Sequence, residues 1–113
     1  MVDQIDNWTV QARKGLLELA VLTSLAEKDR YAYELVKLLT RVPGLDVSEG
    51  TIYPLLSRLR VQGLLEGRLV ESTEGPARKY YSLTSDGKRA LSMMQEYLDS
   101  MLDGVRTLRA RKD

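Results

Sequence analysis

Residues 48–63 read SEGTIYPLLSRLRVQG and residues 75–84 read GPARKYYSLT, and the fold turns on these two stretches. In the first, Ser48 is suited to cap a helix, since its short side chain can take a backbone N–H left unpartnered in the first turn. Glu49 follows, where negative charge suits the helix dipole. Ile52, Leu55, Leu56 and Leu59 recur at the spacing of one helical face, and Gly63 supplies a stop. The same spacing leaves Thr51, Ser57 and Arg58 outward. From Leu64 to Val70 the chain reads as extended, residues 71–76 (ESTEGP) as a loop, and Ala77 to Leu83 as a returning strand. A helix narrow enough for a major groove, joined to a basic hairpin, is how winged helix-turn-helix proteins hold duplex DNA. The pattern predicts a recognition helix followed by a wing.

Pro54 disturbs that helix, because proline is tolerated in a first turn but removes a hydrogen bond further in. Either the helix bends there or it starts near Thr51, which would set Tyr53 and Pro54 at the end presented to a DNA backbone. On the wing, alternation sends Tyr81 and Leu83 to the core and leaves Arg78 and Tyr80 on the other face, with Lys79 snorkelling outward. Arg78, Lys79 and Tyr80 are therefore phosphate candidates, with Arg13 and Lys14 as further ones. Glu71 and Glu74 at the tip would repel phosphate.

Upstream, a helical region is predicted from Gln4 to Ala26, with Ile5, Trp8 and Ala12 on one face before the segment LLELAVLTSLA becomes apolar nearly all round. Gly15 stands where the sparse pattern becomes dense, so a break there would make the N-terminal arm a separate short helix. Residues 27–30 form a polar turn. A positioning helix follows with Tyr31, Leu35, Leu38 and Leu39 at helical spacing, ended by Pro43 and Gly44. Downstream, Thr84 caps a final helix whose Leu91, Met94, Leu98, Met101, Val105 and Leu108 step by three and four. Such a seam predicts pairing with a symmetry mate, part of it packing on the first helix. The expected architecture is mainly α with a small β-hairpin. It comprises a winged helix-turn-helix unit with an N-terminal arm over residues 1–83 and a dimerisation helix over 84–113.

Composition narrows the function. The 113 residues carry a formal charge of only +1, so bulk charge does not drive nucleic-acid binding, but Arg58, Arg60, Arg68, Arg78 and Lys79 concentrate in the helix and wing. Cysteine and histidine are both absent, which removes disulfides, thiolate zinc sites and imidazole ligands; no metal and no cofactor is expected. The acidic N-terminus is unlike a secretory signal and no apolar run spans a bilayer, which predicts a cytoplasmic protein without membrane contact. Without a Cys or His nucleophile or base, a phosphate loop or a spaced carboxylate pair, an enzyme is not expected.

The wording of the segments goes further. GTIYPLLSRLRVQGLL (50–65) and GPARKYYSLTSDG (75–87), together with LELAVLTSL (17–25) and YAYEL (31–35), closely resemble the PadR-like family of transcriptional regulators, from Lys14 to Leu108. With one helix after the wing, the chain is similar to the short form of that family. The resemblance implies a homodimeric repressor on a palindromic operator, with Tyr53 at the DNA-facing start of the recognition helix. Thr51, Tyr53, Pro54, Ser57, Arg58, Arg78, Lys79 and Tyr80 form the expected DNA-binding set. It also implies a cavity at the dimer centre for a flat aromatic or apolar effector, for which Trp8, Met94, Tyr97 and Leu98 are the candidates, with Met93 and Met101 nearby. The same residues equally suit plain interface packing. The alternative function is a winged-helix protein-interaction module that binds no DNA, which calls for an apolar or acidic surface where this chain places arginines.

Overall fold

A computed structural model describes residues 2–111. In chain order it contains α1 (Val2–Glu27), β1 (Arg30–Tyr31), α2 (Ala32–Leu39), α3 (Glu49–Val61), β2 (Leu65–Ser72), β3 (Gly75–Leu83) and α4 (Ser85–Ala110). The strands form one antiparallel sheet in the order β1-β3-β2. The mainly helical winged architecture expected from the sequence is present.

The core is built from the predicted faces. Val21, Leu22 and Leu25 of α1, Leu35 and Leu39 of α2, and Ile52, Leu55, Leu56 and Leu59 of α3 are buried together, closed by Leu65, Tyr81 and Leu83 of the sheet and Leu91 of α4. At about 1.5–3 kcal/mol per buried large aliphatic side chain, this cluster dominates folding. Ser48 starts α3 as expected, its backbone N–H donating to Thr51 Oγ1 at 3.0 Å. Gly63 ends the helix with φ +82°, and Leu64 N–H donates to Leu59 O at 3.0 Å. This is the left-handed stop that glycine adopts without steric cost. Thr84 caps α4 by accepting from Gly87 N–H at 3.0 Å.

Four expectations need correcting. First, α1 is one continuous helix of 26 residues; Gly15 does not break it, because a helix tolerates a single glycine at about 1 kcal/mol while every backbone hydrogen bond is kept. Second, the supposed polar turn holds the first strand. Arg30 is buried, its Nε donating to Ser24 O at 3.1 Å and its Nη2 pairing with Glu27 at 2.7 Å. It thus satisfies a carbonyl near the C-terminal end of α1, where a cation is favoured. Third, α2 ends at Leu39, ahead of Pro43 and Gly44. Fourth, the wing loop is not six residues long: β2 runs to Ser72 and β3 starts at Gly75. Ser72 Oγ accepts from Glu74 N–H at 3.2 Å, which reverses the chain within Thr73 and Glu74. The ladder is irregular between Val70 and Ser72, so Pro76, which has no N–H to give, sits in a bulged stretch.

The molecule is elongated, 64 × 33 × 22 Å, because α1 and α4 each run for 26 residues, about 39 Å at the α-helical rise. The core cannot cover helices of that length. Trp8 and Ile5 on α1, and Met101, Val105 and Leu108 on α4, are left exposed.

Candidate DNA interface and effector groove

Burial of Ile52, Leu55, Leu56 and Leu59 turns Thr51, Tyr53, Pro54, Ser57, Arg58 and Arg60 to the outside of α3. The helix starts at Glu49, not near Thr51, so Pro54 lies inside it. Proline there leaves the carbonyl of Gly50 without its usual i+4 donor. Tyr53 is 51% exposed, a large aromatic side chain on a surface rather than in a core. Thr51 is exposed, but its hydroxyl donates to Ser48 O at 2.9 Å while accepting from Ser48 N–H. Its proton is used in starting the helix, which leaves one acceptor lone pair and no donor for a phosphate. Arg58 is shared as well: its Nη2 lies 3.1 Å from Glu18 Oε1 on α1.

The wing residues divide between two faces. Tyr81 turns inward, where burial pushes its phenol above the ordinary value, with Arg60 opposing and Tyr53 adding to the shift; Tyr81 stays a neutral hydroxyl at neutral pH. Lys79 shares that face, its Nζ 5.8 Å from the Tyr81 ring centroid. Its stem crosses Gly67 so closely that a Cβ there would lie 2.6 Å from Lys79 Cε. Arg78 and Tyr80 lie on the opposite, outer face. There Arg78 Nη1 donates to Tyr31 Oη at 3.2 Å with its guanidinium 4.7 Å from the Tyr31 ring centroid, and Arg68 Nη1 pairs with Asp29 at 2.5 Å. Tyr31 and Glu18 were not among the site residues expected from sequence, and Arg68 was expected only as part of the basic wing. Their partners lie 47, 39 and 40 positions away in the chain, beyond any local pattern. Arg13 is held by Asp46 at 2.5 Å, which makes it a tie between α1 and the α2–α3 loop instead of a free cation.

The expected effector residues come together. Trp8, Met94, Tyr97 and Leu98 line one apolar groove of about 670 Å³ between α1 and α4, with Met93 and Met101 on its walls and Glu18 at its edge. Trp8 is 68% exposed and also borders a second groove of about 650 Å³ between α1 and the residues after α2. Along the predicted α4 seam, Leu91 is committed to the chain's own core and Met94 and Leu98 are half-buried. Met101, Val105 and Leu108 are exposed.

Residues 21–93 match the profile of the Transcriptional regulator PadR-like family. The chain belongs to that family. PadR-like relatives share both sequence and shape with it. A PadR family regulator from Eggerthella lenta superposes with a TM-score of 0.83 at 34% identity, covering 97% of this chain and 96% of its own. A PadR-like regulator from Bacillus cereus gives 0.81 at 36%, covering 90% and 99%. Among curated sequences, the transcriptional regulator Rv3488 of Mycobacterium tuberculosis is 34% identical over 91 residues, 79% of this chain and 81% of that protein. Membership of the PadR-like family makes this chain a DNA-binding transcriptional regulator. Among the described residues no helix is long and apolar enough to cross a membrane, and no acidic cluster could hold a metal ion.

Proposed function

We propose that the protein is a homodimeric repressor, with residues 1–83 as the DNA-binding unit and residues 84–113 as the dimerisation helix. The observation that carries the reading is the outward face of α3. A buried leucine and isoleucine stripe holds the helix rigid while Tyr53, Pro54, Ser57 and Arg58 stand clear of the core beside a basic wing. Thr51 contributes its methyl group and remaining lone pair at the helix start, and Arg78, Lys79 and Tyr80 contact backbone on either side of the wing. Two-fold symmetry of the protein requires a palindromic operator, with half-site centres roughly 10 base pairs apart or a multiple of that. A flat apolar or aromatic effector in the α1–α4 groove would release the DNA by favouring a different spacing of the two recognition helices.

The deciding experiment is a polarisation titration against a duplex selected from a random library, with salt varied and unrelated duplex as competitor. Affinity is expected to fall steeply with salt, at about 0.9 in log–log slope per phosphate contact. Tyr53→Ala is expected to weaken binding roughly tenfold, the scale of one specific contact, while thermal stability holds because the side chain is half exposed. Binding that ignores salt and competitor alike would favour the protein-interaction reading instead.

Arg58 leads to a second expectation with an unusual sign. Its partner Glu18 competes with phosphate for the same guanidinium, and an exposed ion pair is worth only about 0.2–1 kcal/mol. Glu18→Gln should therefore tighten operator binding by up to about fivefold, the equivalent of that energy. Weaker binding by this variant would place Glu18 among the residues that orient Arg58 toward DNA.

A further inference from the structure

We infer that the outer face of the sheet is a second DNA-backbone surface, on which Tyr31 is the positioning residue that holds Arg78 for a phosphate. This rests on the DNA-binding reading above and extends it to residues outside the recognition helix and the wing tip.

The face is assembled by cross-strand register. Tyr31 of β1 and Arg68 of β2 both stand opposite Tyr80 of β3, and Val70 stands opposite Arg78. Residues directly opposite share a face, so Tyr31, Tyr80, Arg68 and Arg78 project together. The Tyr31 and Tyr80 rings meet edge to face at 5.2 Å, and the Arg68 guanidinium lies 5.9 Å from the Tyr80 centroid. Tyr33 continues the aromatic row 6.5 Å from Tyr31, with Lys37 Nζ 5.7 Å from its ring.

What distinguishes this cluster from ordinary surface pairing is how the charges are balanced. Arg68 is neutralised by Asp29. Arg78 and Lys37 are held by neutral partners, a phenol and aromatic rings, and among the described residues no carboxylate lies within 4.0 Å of either. A guanidinium fixed by a ring face and a hydroxyl loses side-chain freedom without losing its charge, and four of its five donors remain for a ligand. That combination suits an anion, and a fork of parallel donors suits phosphate in particular. The start of α2 is not part of the site, because Glu34 already accepts the Tyr31 N–H at 3.2 Å there. The occupant that fits is the duplex backbone, since the surface is continuous through β3 with the wing residues proposed to meet DNA.

The test is a double-mutant cycle on the full-length protein with the selected duplex, in which affinity and salt slope are read for Arg78→Gln, Tyr31→Phe and the pair. Arg78→Gln is expected to weaken binding on the order of tenfold at 0.1 M salt and to reduce the slope by about two, one phosphate lost per subunit of a dimer. Tyr31→Phe keeps the ring and removes the hydroxyl; a smaller loss is expected, and the double variant should bind no more weakly than Arg78→Gln alone. Arg78→Lys should restore most of the slope. Thermal midpoints of all variants should match the parent, as the side chains involved lie at the surface. Specific binding by the parent with Arg78→Gln unchanged in affinity and slope would overturn this inference and leave the recognition-helix reading intact. Independent multiplication of the two losses would remove Tyr31 as the positioning residue. A parent that does not distinguish the selected duplex from competitor would remove both readings.

Discussion

Gly87→Ala is expected to lower the thermal midpoint by roughly 10–15 °C, although it introduces the better helix former into α4. A methyl group at Gly87 would be driven into the carbonyl oxygen of Leu64, with the Leu64 carbonyl carbon at 3.1 Å and Leu83 Cδ2 at 3.2 Å. The obstacle is backbone, which cannot rotate away as a side-chain tip can. Alanine gains about 1 kcal/mol of helix propensity over glycine, against an overpacking cost that reaches about 3 kcal/mol or more when a core must shift. The net loss of about 2 kcal/mol converts to the stated drop at about 4–8 °C per kcal/mol for a domain of this size. The same carbonyl accepts Thr84 N–H at 3.1 Å, and Thr84 Oγ1 donates to Gly63 O at 2.6 Å. Pushing Leu64 aside therefore strains the end of α3 and the cap of α4 together. Gly104, in the same helix, has open space around its Cα, so Gly104→Ala should hold or raise the midpoint. Differential scanning calorimetry of the two variants separates the effects, and an unchanged midpoint for Gly87→Ala would mean that the α3–α4 junction gives way easily.

The second large effect is expected at the α4 seam. Leu98→Asp should abolish the proposed dimer and, with it, most DNA affinity, because a carboxylate desolvated between two helices costs several kcal/mol without a partner. Leu98 is half-buried within the single chain, so that variant also carries some cost to the monomer. Val105→Asp carries little such cost, because Val105 is 52% exposed in the single chain. If both variants sediment as monomers and both lose operator binding by a hundredfold or more, the seam is the dimer interface, since each half-site alone forfeits the other's contribution. A Val105→Asp protein that remains dimeric would restrict the interface to the part of α4 before Met101 and the face of α1 that carries Trp8. A protein that is monomeric yet binds normally would break the link between pairing and DNA affinity.

Most of the fold could be read from short-range signals. The buried stripe of α3, the stops and starts at Ser48, Gly63 and Thr84, and the alternation that sends Tyr81 and Leu83 inward all depend on spacings of two to four residues. Such spacings are fixed by helical and strand geometry whatever the rest of the chain does. The pocket residues Trp8, Met94, Tyr97 and Leu98 come from the family resemblance, not from spacing; the structure places them in one groove between α1 and α4 of a single chain. The failures share a cause as well. Gly15 looked like a break because a local rule weighs one glycine against helix propensity, whereas packing of α1 along α4 rewards a straight helix. Arg30 looked like a solvated turn residue because nothing nearby in sequence reveals that Tyr81 will pair with it and that the end of α1 needs a cation. The wing tip looked longer than it is because register is set between strands and not within one.

For this protein, then, the amino-acid order alone determined where α3 begins and ends and where α4 begins, which faces are apolar and that a basic helix precedes a basic hairpin, since each of these is decided within about one turn of chain. Only the tertiary structure decided which charges are already taken. Arg13 goes to Asp46, Arg58 to Glu18 and Arg68 to Asp29, while Arg78 rests on the neutral Tyr31. Electrostatic partnership depends on distance in space, and the chain brings these groups together from 33 to 47 positions apart only when the core closes.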